Sequence, residues 1–266
     1  MADIVRQAVE HVPPGSRLVI ASRSSPSKAF TALLADSRMS LIDWHSLRFT
    51  VAETAEFSGL GPITAVQLCD ACAGWPAGMR LLLSPGDSRR EYANLSDRTS
   101  VERLDEYFAT EVLDRLTPDQ RRVLLRTSVV ADVPGSLAIA LSGRQEAPRI
   151  LEALSRGNLF TERHGGVDAT YRYHDLFRSF LLKTAENELG GRALRELRAA
   201  AAQALEVAGA NEAAIDLYLQ AEEWLAAGRV VIAESQGLRS QGRTGVLRDW
   251  LGRIPRFLVE DPDRCR

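Results

Sequence analysis

Apolar residues recur with a helical period at the start of this chain. Ile4, Val5, Ala8, Val9 and Val12 share one helical face, and Pro13-Pro14-Gly15 ends the helix. Residues 18–21, Leu-Val-Ile-Ala, follow without a polar interruption. That pattern predicts a short strand covered on both faces, as in a parallel sheet. A helix over about 27–34 and a second short strand near 47–49 extend the alternation of helix and strand. Thr50 followed three positions later by Glu53 has the spacing of a capping box. Helices are predicted after it, over 64–73 and 76–83.

Residues 84–100 break the pattern. They hold Pro85, Gly86 and a run of Ser, Arg and Asp with few apolar positions, which reads as a linker or mobile loop. Helical spacing resumes with Val101, Leu104, Tyr107, Phe108, Val112, Leu113 and Leu116. Thr117-Pro118 reads as an N-cap followed by a first-turn proline, opening a helix to Thr127. Pro134 and Pro148 mark two further helix starts. Apolar segments at 159–161 and 169–173 flank His164-Gly165-Gly166, the signature of a small β-hairpin. Three helices and a hairpin compose a winged-helix domain. From Arg192 onward, Ala- and Leu-rich helices alternate with Gly209, Gly228, Gly237 and Gly245, which predicts two helix-turn-helix units over about 192–221 and 222–254. Stacked arrays need three or more repeats, so this one looks truncated. The expected domains are therefore 1–83, a linker at 84–100, a winged helix at 101–190 and the start of a helical array at 191–266. The fold class is mostly α with a small α/β remnant.

Composition narrows the function. Apolar residues make up 45% and charged residues 26% of 266, with a net charge of -2, as in an ordinary soluble protein. No apolar run approaches the ~20 residues that a bilayer requires. Asp3, Arg6 and Glu10 interrupt the first ten residues, so no signal peptide is expected. Three cysteines are too few for a disulfide framework, and a cytoplasmic location is expected. Cys69-x-x-Cys72 has no second ligand pair at zinc-site spacing. His11, His45 and His164 are scattered and no triad ordering emerges from them, so neither a catalytic residue nor a metal site is assigned. Arg149, Arg156 and Arg163 are interleaved with Glu146, Glu152 and Glu162, so direct DNA binding is not expected.

Four residues carry possible chemistry. Arg23 ends the predicted strand, where ligands of open α/β sheets sit, and a guanidinium there could hold a phosphate. A surface arginine at a strand end is the plainer alternative. Trp75 and Pro76 lie in the turn Gly74-Trp75-Pro76-Ala77-Gly78. They could pack on a purine, or form a helix start with a core tryptophan. His174 sits at a predicted helix N-terminus, which suits an anion. It could equally be a partly buried structural imidazole.

Several signatures share a characteristic order: residues 18–23 with Pro26; Leu47-Arg48-Phe49-Thr50 with Glu53; residues 74–78; Asp105-Glu106-Tyr107 with Glu111-Val112-Leu113. After them come residues 124–129, 156–160 and 171–177, then Glu212-Ala213-Ala214-Ile215, and Trp250-Leu251 with Ile254-Pro255. In this order the chain resembles the ATP-dependent LuxR-type transcriptional regulators of the MalT kind, within the STAND class of NTPases. The resemblance implies the end of a P-loop NTPase core, a complete winged helix and the beginning of a TPR-like sensor array. It also implies nucleotide-contacting roles: Arg23 toward the γ-phosphate, Pro76 with Trp75 on the adenine side, His174 toward the β-phosphate of ADP. The 266 residues contain no G-x-x-x-x-G-K-[ST] and no strand with paired acids ahead of Arg23. The expectation is thus a regulatory fragment, not an enzyme by itself, that couples nucleotide state to a helical sensor. ATP or ADP is implied only for the complete architecture. A protein or small-molecule inducer on the array is the expected partner. A stand-alone interaction module is the alternative.

Overall fold

Capping chemistry sets the helix starts that position the site. The computed structural model describes residues 2–13, 15–22, 26, 28–42, 44–83, 98–157, 159–165 and 169–255. They divide between two units, each discontinuous in sequence. The first is Met1–Arg115, Leu151–Glu162 and His174–Leu176; the second is Leu116–Ile150, Arg163–Tyr173 and Phe177–Arg266.

The first unit begins with helix α1 (Ala2–His11), a 3-10 turn (Lys28–Phe30), α2 (Thr31–Ala35) and α3 (Trp44–Leu47). α4 (Val51–Ser58) starts at the predicted capping box: the Thr50 hydroxyl accepts from Glu53 N–H, and the Glu53 carboxylate accepts from Thr50 N–H at 2.8 Å. α5 (Pro62–Cys72), α6 (Pro76–Leu82), α7 (Arg98–Glu111) and a 3-10 turn (Leu113–Arg115) follow. Ala65, Leu68 and Cys72 form one fully buried face of α5, together with Met79 of α6. The predicted linker lies mostly outside the described residues, but Arg98, Thr99 and Ser100 are the first residues of α7.

The parallel α/β remnant is corrected by the structure. Residues 18–21 form no strand, and Leu18, Val19 and Ile20 are 48%, 86% and 52% exposed. Leu47 ends α3 and is likewise exposed, so no strand runs over 47–49. An apolar run signals a need for cover, but a strand also needs lateral partners for its N–H and C=O groups. Among the described residues, no strand precedes Asp132.

The second unit contains α8 (Pro118–Thr127), β1 (Asp132–Pro134), α9 (Gly135–Ser142) and the start of α10 (Ala147–Arg156). Thr117 and Gln120 form a capping box at the start of α8, with Pro118 in its first turn. Arg122 donates to the Ser142 carbonyl at 3.0 Å and Arg126 to the Leu141 carbonyl at 2.5 Å. Two cations thus satisfy carbonyls at the negative end of α9. β2 (Thr161–His164) and β3 (Thr170–Tyr173) make the predicted hairpin, and the sheet order is β1-β3-β2. β1 and β3 pair antiparallel, with Asp132 opposite Arg172. That pair is bidentate, at 2.6 and 2.8 Å, and its hydrogen bonds hold the Asp132 carboxyl below the usual carboxylate range. Tyr173 is buried, with its hydroxyl 2.6 Å from that of Thr127. This element order and sheet make a winged helix.

α11 (Asp175–Val207) is broken at Gly190, whose φ of 81° and ψ of 156° are not helical. Beyond the break, Leu194, Leu197, Ala201 and Leu205 bury one stripe. α12 (Asn211–Gln220), α13 (Trp224–Ser240) and α14 (Thr244–Arg253) complete the two predicted helical pairs. Each of three turns closes with a bond from an N–H to the carbonyl five residues back: Ala210 to Leu205, Glu223 to Tyr218, Arg243 to Leu238. The left-handed residue in these turns is Gly209, Glu222 and Gly242 respectively. Gly228 and Gly237 are interior to α13 and Gly245 to α14, so these glycines do not separate helices as expected. Carboxylate–arginine pairs join helices along the array: Glu206 with Arg229, Glu212 with Arg243, and Asp216 with Arg253.

Candidate functional site

The site candidate is built around Trp75, and local backbone geometry explains its flanking glycines. α5 ends on two left-handed residues, Ala73 (φ 47°) and Gly74 (φ 73°). Gly74 N–H donates to Cys69 O, and Trp75 N–H to Cys72 O, each at 2.9 Å. Phe49 N–H donates to Gly74 O at 2.8 Å. A Cβ on Gly74 would lie 2.8 Å from Phe49 O and 3.1 Å from Arg48 Cβ. Glycine is required here for both its φ and this close approach. Pro76 then opens α6 in its first turn, where its missing N–H costs nothing. A Cβ on Gly78 would lie 2.3 Å from Trp75 Cε3, so the indole rests directly on that backbone.

The indole is 6% exposed. Its ring stacks at 22° on Phe108 with centroids 5.8 Å apart, and meets Phe160 edge-on at 5.0 Å and Tyr107 at 5.6 Å. His174 approaches edge-on at 6.2 Å. Pro76 is half-buried at the rim. In this geometry Trp75 occupies the core position that its sequence allowed, and Pro76 is the more accessible of the two.

His174 immediately precedes α11. Its N–H donates to Phe160 O at 2.9 Å, and its imidazole is 8% exposed. Burial holds the imidazole pKa below its ordinary value, and the positive charge of Arg48 adds to this. Asp175, the Cys72 carbonyl and Glu162 act in the opposite direction. The ring is therefore neutral at pH 7, offering one N–H donor and one acceptor. Such a group can hydrogen-bond a phosphate oxygen, and a phosphate nearby would favour its protonation.

The structure brings Trp75, Pro76 and His174 into one unit. Arg23 lies outside the described residues. Phe160, Tyr107 and Arg48 fall within the shared signatures and Phe108 within the apolar spacing of 101–116, none of them with an expected site role. The aromatic residues in those motifs were the available signal. Cys72 is fully buried, and burial pushes its thiol up to about 12, so Cys72 is no ready nucleophile. Among the described residues, no helix is long and apolar enough to cross a membrane.

Residues 109–193 match the family model described as the MalT winged helix domain. Over most of its length the chain is similar to MalT transcriptional regulators. It is 28% identical to the HTH-type transcriptional regulator MalT of Klebsiella pneumoniae over 271 residues, covering 98% of this chain and 30% of that protein. It is also 28% identical to the regulator of the same name from Vibrio cholerae serotype O1, over 274 residues that cover 99% of this chain and 30% of that protein. The chain thus spans 30% of the length of these curated relatives. Its winged-helix match includes Phe160 and His174, whereas Trp75 and Pro76 precede it.

Proposed function

We propose that this chain is a regulatory, non-catalytic segment of a MalT-like transcriptional regulator, coupling nucleotide state to a helical sensor. In this reading residues 1–83 are the end of a STAND-type P-loop NTPase core. Residues 84–100 are a linker, 101–190 the winged helix, and 191–266 the start of a TPR-like array that meets an inducer. The protein works in the cytoplasm, and DNA reading belongs to other parts of such a regulator. The observation that carries the reading is the position of His174. Its buried imidazole sits beside Trp75, and the next residue opens α11, which leads in sequence, past the non-helical Gly190, toward α12.

In this reading Pro76 and His174 supply part of a nucleotide site, with Arg23 and Trp75 the further contacts that the resemblance implies. Without a glycine-rich phosphate nest, several charge-assisted hydrogen bonds of about 1.5–3 kcal/mol each are missing. The chain alone should bind ADP or ATP with a dissociation constant weaker than about 1 mM. Adding a P-loop segment from a MalT regulator should bring binding into the micromolar range, and His174→Ala should weaken it again. Isothermal titration tests this. A dissociation constant below ~10 μM for the chain alone would show that the half-site suffices, and indifference to His174→Ala with the segment present would refute the assignment.

A further inference from the structure

Phe160 stands out by its backbone. Its φ is 50°, in the left-handed region that glycine and asparagine enter easily and phenylalanine does not. Its side chain is only half-buried, so burial alone does not account for an aromatic ring at this position. A residue kept in an unfavourable conformation is one whose surroundings need it there.

The contacts show what needs it. The Phe160 carbonyl accepts the N–H of His174 at 2.9 Å. The Phe160 ring meets the imidazole edge-on at 6.2 Å and 77°. The same ring meets Trp75 at 5.0 Å and Phe108 at 5.1 Å, each close to perpendicular. One residue thus holds the main chain and the side chain of His174, and keys both to the indole. Nearby bonds fix the turn: Leu159 N–H donates to Leu154 O at 3.0 Å, and the Thr161 hydroxyl to Leu159 O at 2.9 Å.

We propose that Phe160 is a positioning residue, which sets the orientation of the His174 imidazole against Trp75 through its carbonyl and its ring together. This rests on the reading of His174 as the nucleotide-facing group. A buried imidazole can meet a phosphate only along the direction its neighbours allow. A ring pinned on two sides is pre-organised for one such direction.

The test follows the His174 imidazole by NMR in the full chain, labelled with 15N-histidine and assigned by loss of its signal in His174→Gln. Wild-type His174 should titrate below its ordinary pKa of ~6.5. In Phe160→Met, which keeps the volume without the ring, the midpoint should rise by about half a unit or more, and the near-ultraviolet dichroism of Trp75 should weaken. Phe160→Gly should show the same shift, although its backbone suits φ 50° better. Phe160→Tyr, which keeps the ring, should leave the midpoint unchanged. An unaltered midpoint in both Met and Gly variants, or a Tyr variant shifted as far as Met, overturns the proposal. Where the non-aromatic variants do not fold, the Tyr variant decides: an unchanged midpoint supports positioning and a shifted one defeats it. Adding ADP to the wild type at ~10 mM tests the underlying reading separately. A His174 resonance that ignores ADP even with a MalT P-loop segment added removes the nucleotide role, while the Phe160 result, obtained without nucleotide, stands.

Discussion

Gly78→Ala should destabilise the chain, although alanine is the better helix former. A methyl at Gly78 would lie 2.3 Å from Trp75 Cε3, 2.9 Å from Cζ3 and 3.0 Å from Cδ2. Carbon atoms rest at about 3.5–4.0 Å, so the indole would have to retreat by more than about 1 Å. It has little room to do so. Phe108 stacks against the indole, Phe160 and His174 meet its edges, and Tyr107 leans on it. Overpacking of this kind costs about 1–3 kcal/mol, and the severity of the clash argues for the upper end. Helix propensity returns about 1 kcal/mol. The net expectation is a loss of about 2 kcal/mol. Gly228→Ala supplies the control. It lies inside α13 with nothing within 4 Å of its added methyl, so the same substitution should stabilise by about 1 kcal/mol. Urea unfolding monitored by far-ultraviolet dichroism measures both. Gly78→Ala at or above wild-type stability would refute the packing argument, whatever Gly228→Ala does.

Other outcomes follow from single interactions. The folded pKa of His174 is lowered, so its contribution to stability is full above the unfolded value of ~6.5 and is lost as pH falls through the folded value. Unfolding free energy should therefore begin to drop below pH ~6.5, before the carboxylates titrate, and His174→Gln should flatten that part of the curve. The Thr127 hydroxyl donates to Val123 O at 2.7 Å and lies 2.6 Å from the Tyr173 hydroxyl, which must then be the donor to it. Tyr173→Phe leaves Thr127 bonded and should cost about 1 kcal/mol, whereas Thr127→Val strands a buried phenol and should cost about 2 kcal/mol or more in urea melts. Glu222 is exposed with φ 63° at a helix end, so Glu222→Gly should raise stability by about 0.5–1 kcal/mol, seen as a higher thermal midpoint.

Local chemistry was legible from the sequence because it needs only neighbours a few residues away. Thr50 with Glu53 forms the expected capping box, and Thr117 caps the helix that Pro118 opens, because these partners lie within three residues whatever the rest of the chain does. The hairpin around His164 and the two helical pairs after Gly190 are likewise local. The run at 18–21 forms no strand because a strand is defined by partners remote in sequence, and its own residues cannot report whether those partners are present. The glycines of α13 mark the same limit: composition suggested turns where the buried residues Ala227, Val230, Val231 and Leu238 hold one continuous helix. The site divides in the same way. Trp75, Pro76 and His174 could be singled out one by one. Only tertiary structure decided that the indole faces inward, that Gly78 exists to seat it, and that Phe160 joins it to His174. Gly78 is only three residues from Trp75, but the burial of the indole and its link to His174 depend on Phe160 and His174, 85 and 99 positions further along the chain. No spacing within a sequence encodes such a meeting, which depends on how the whole unit packs.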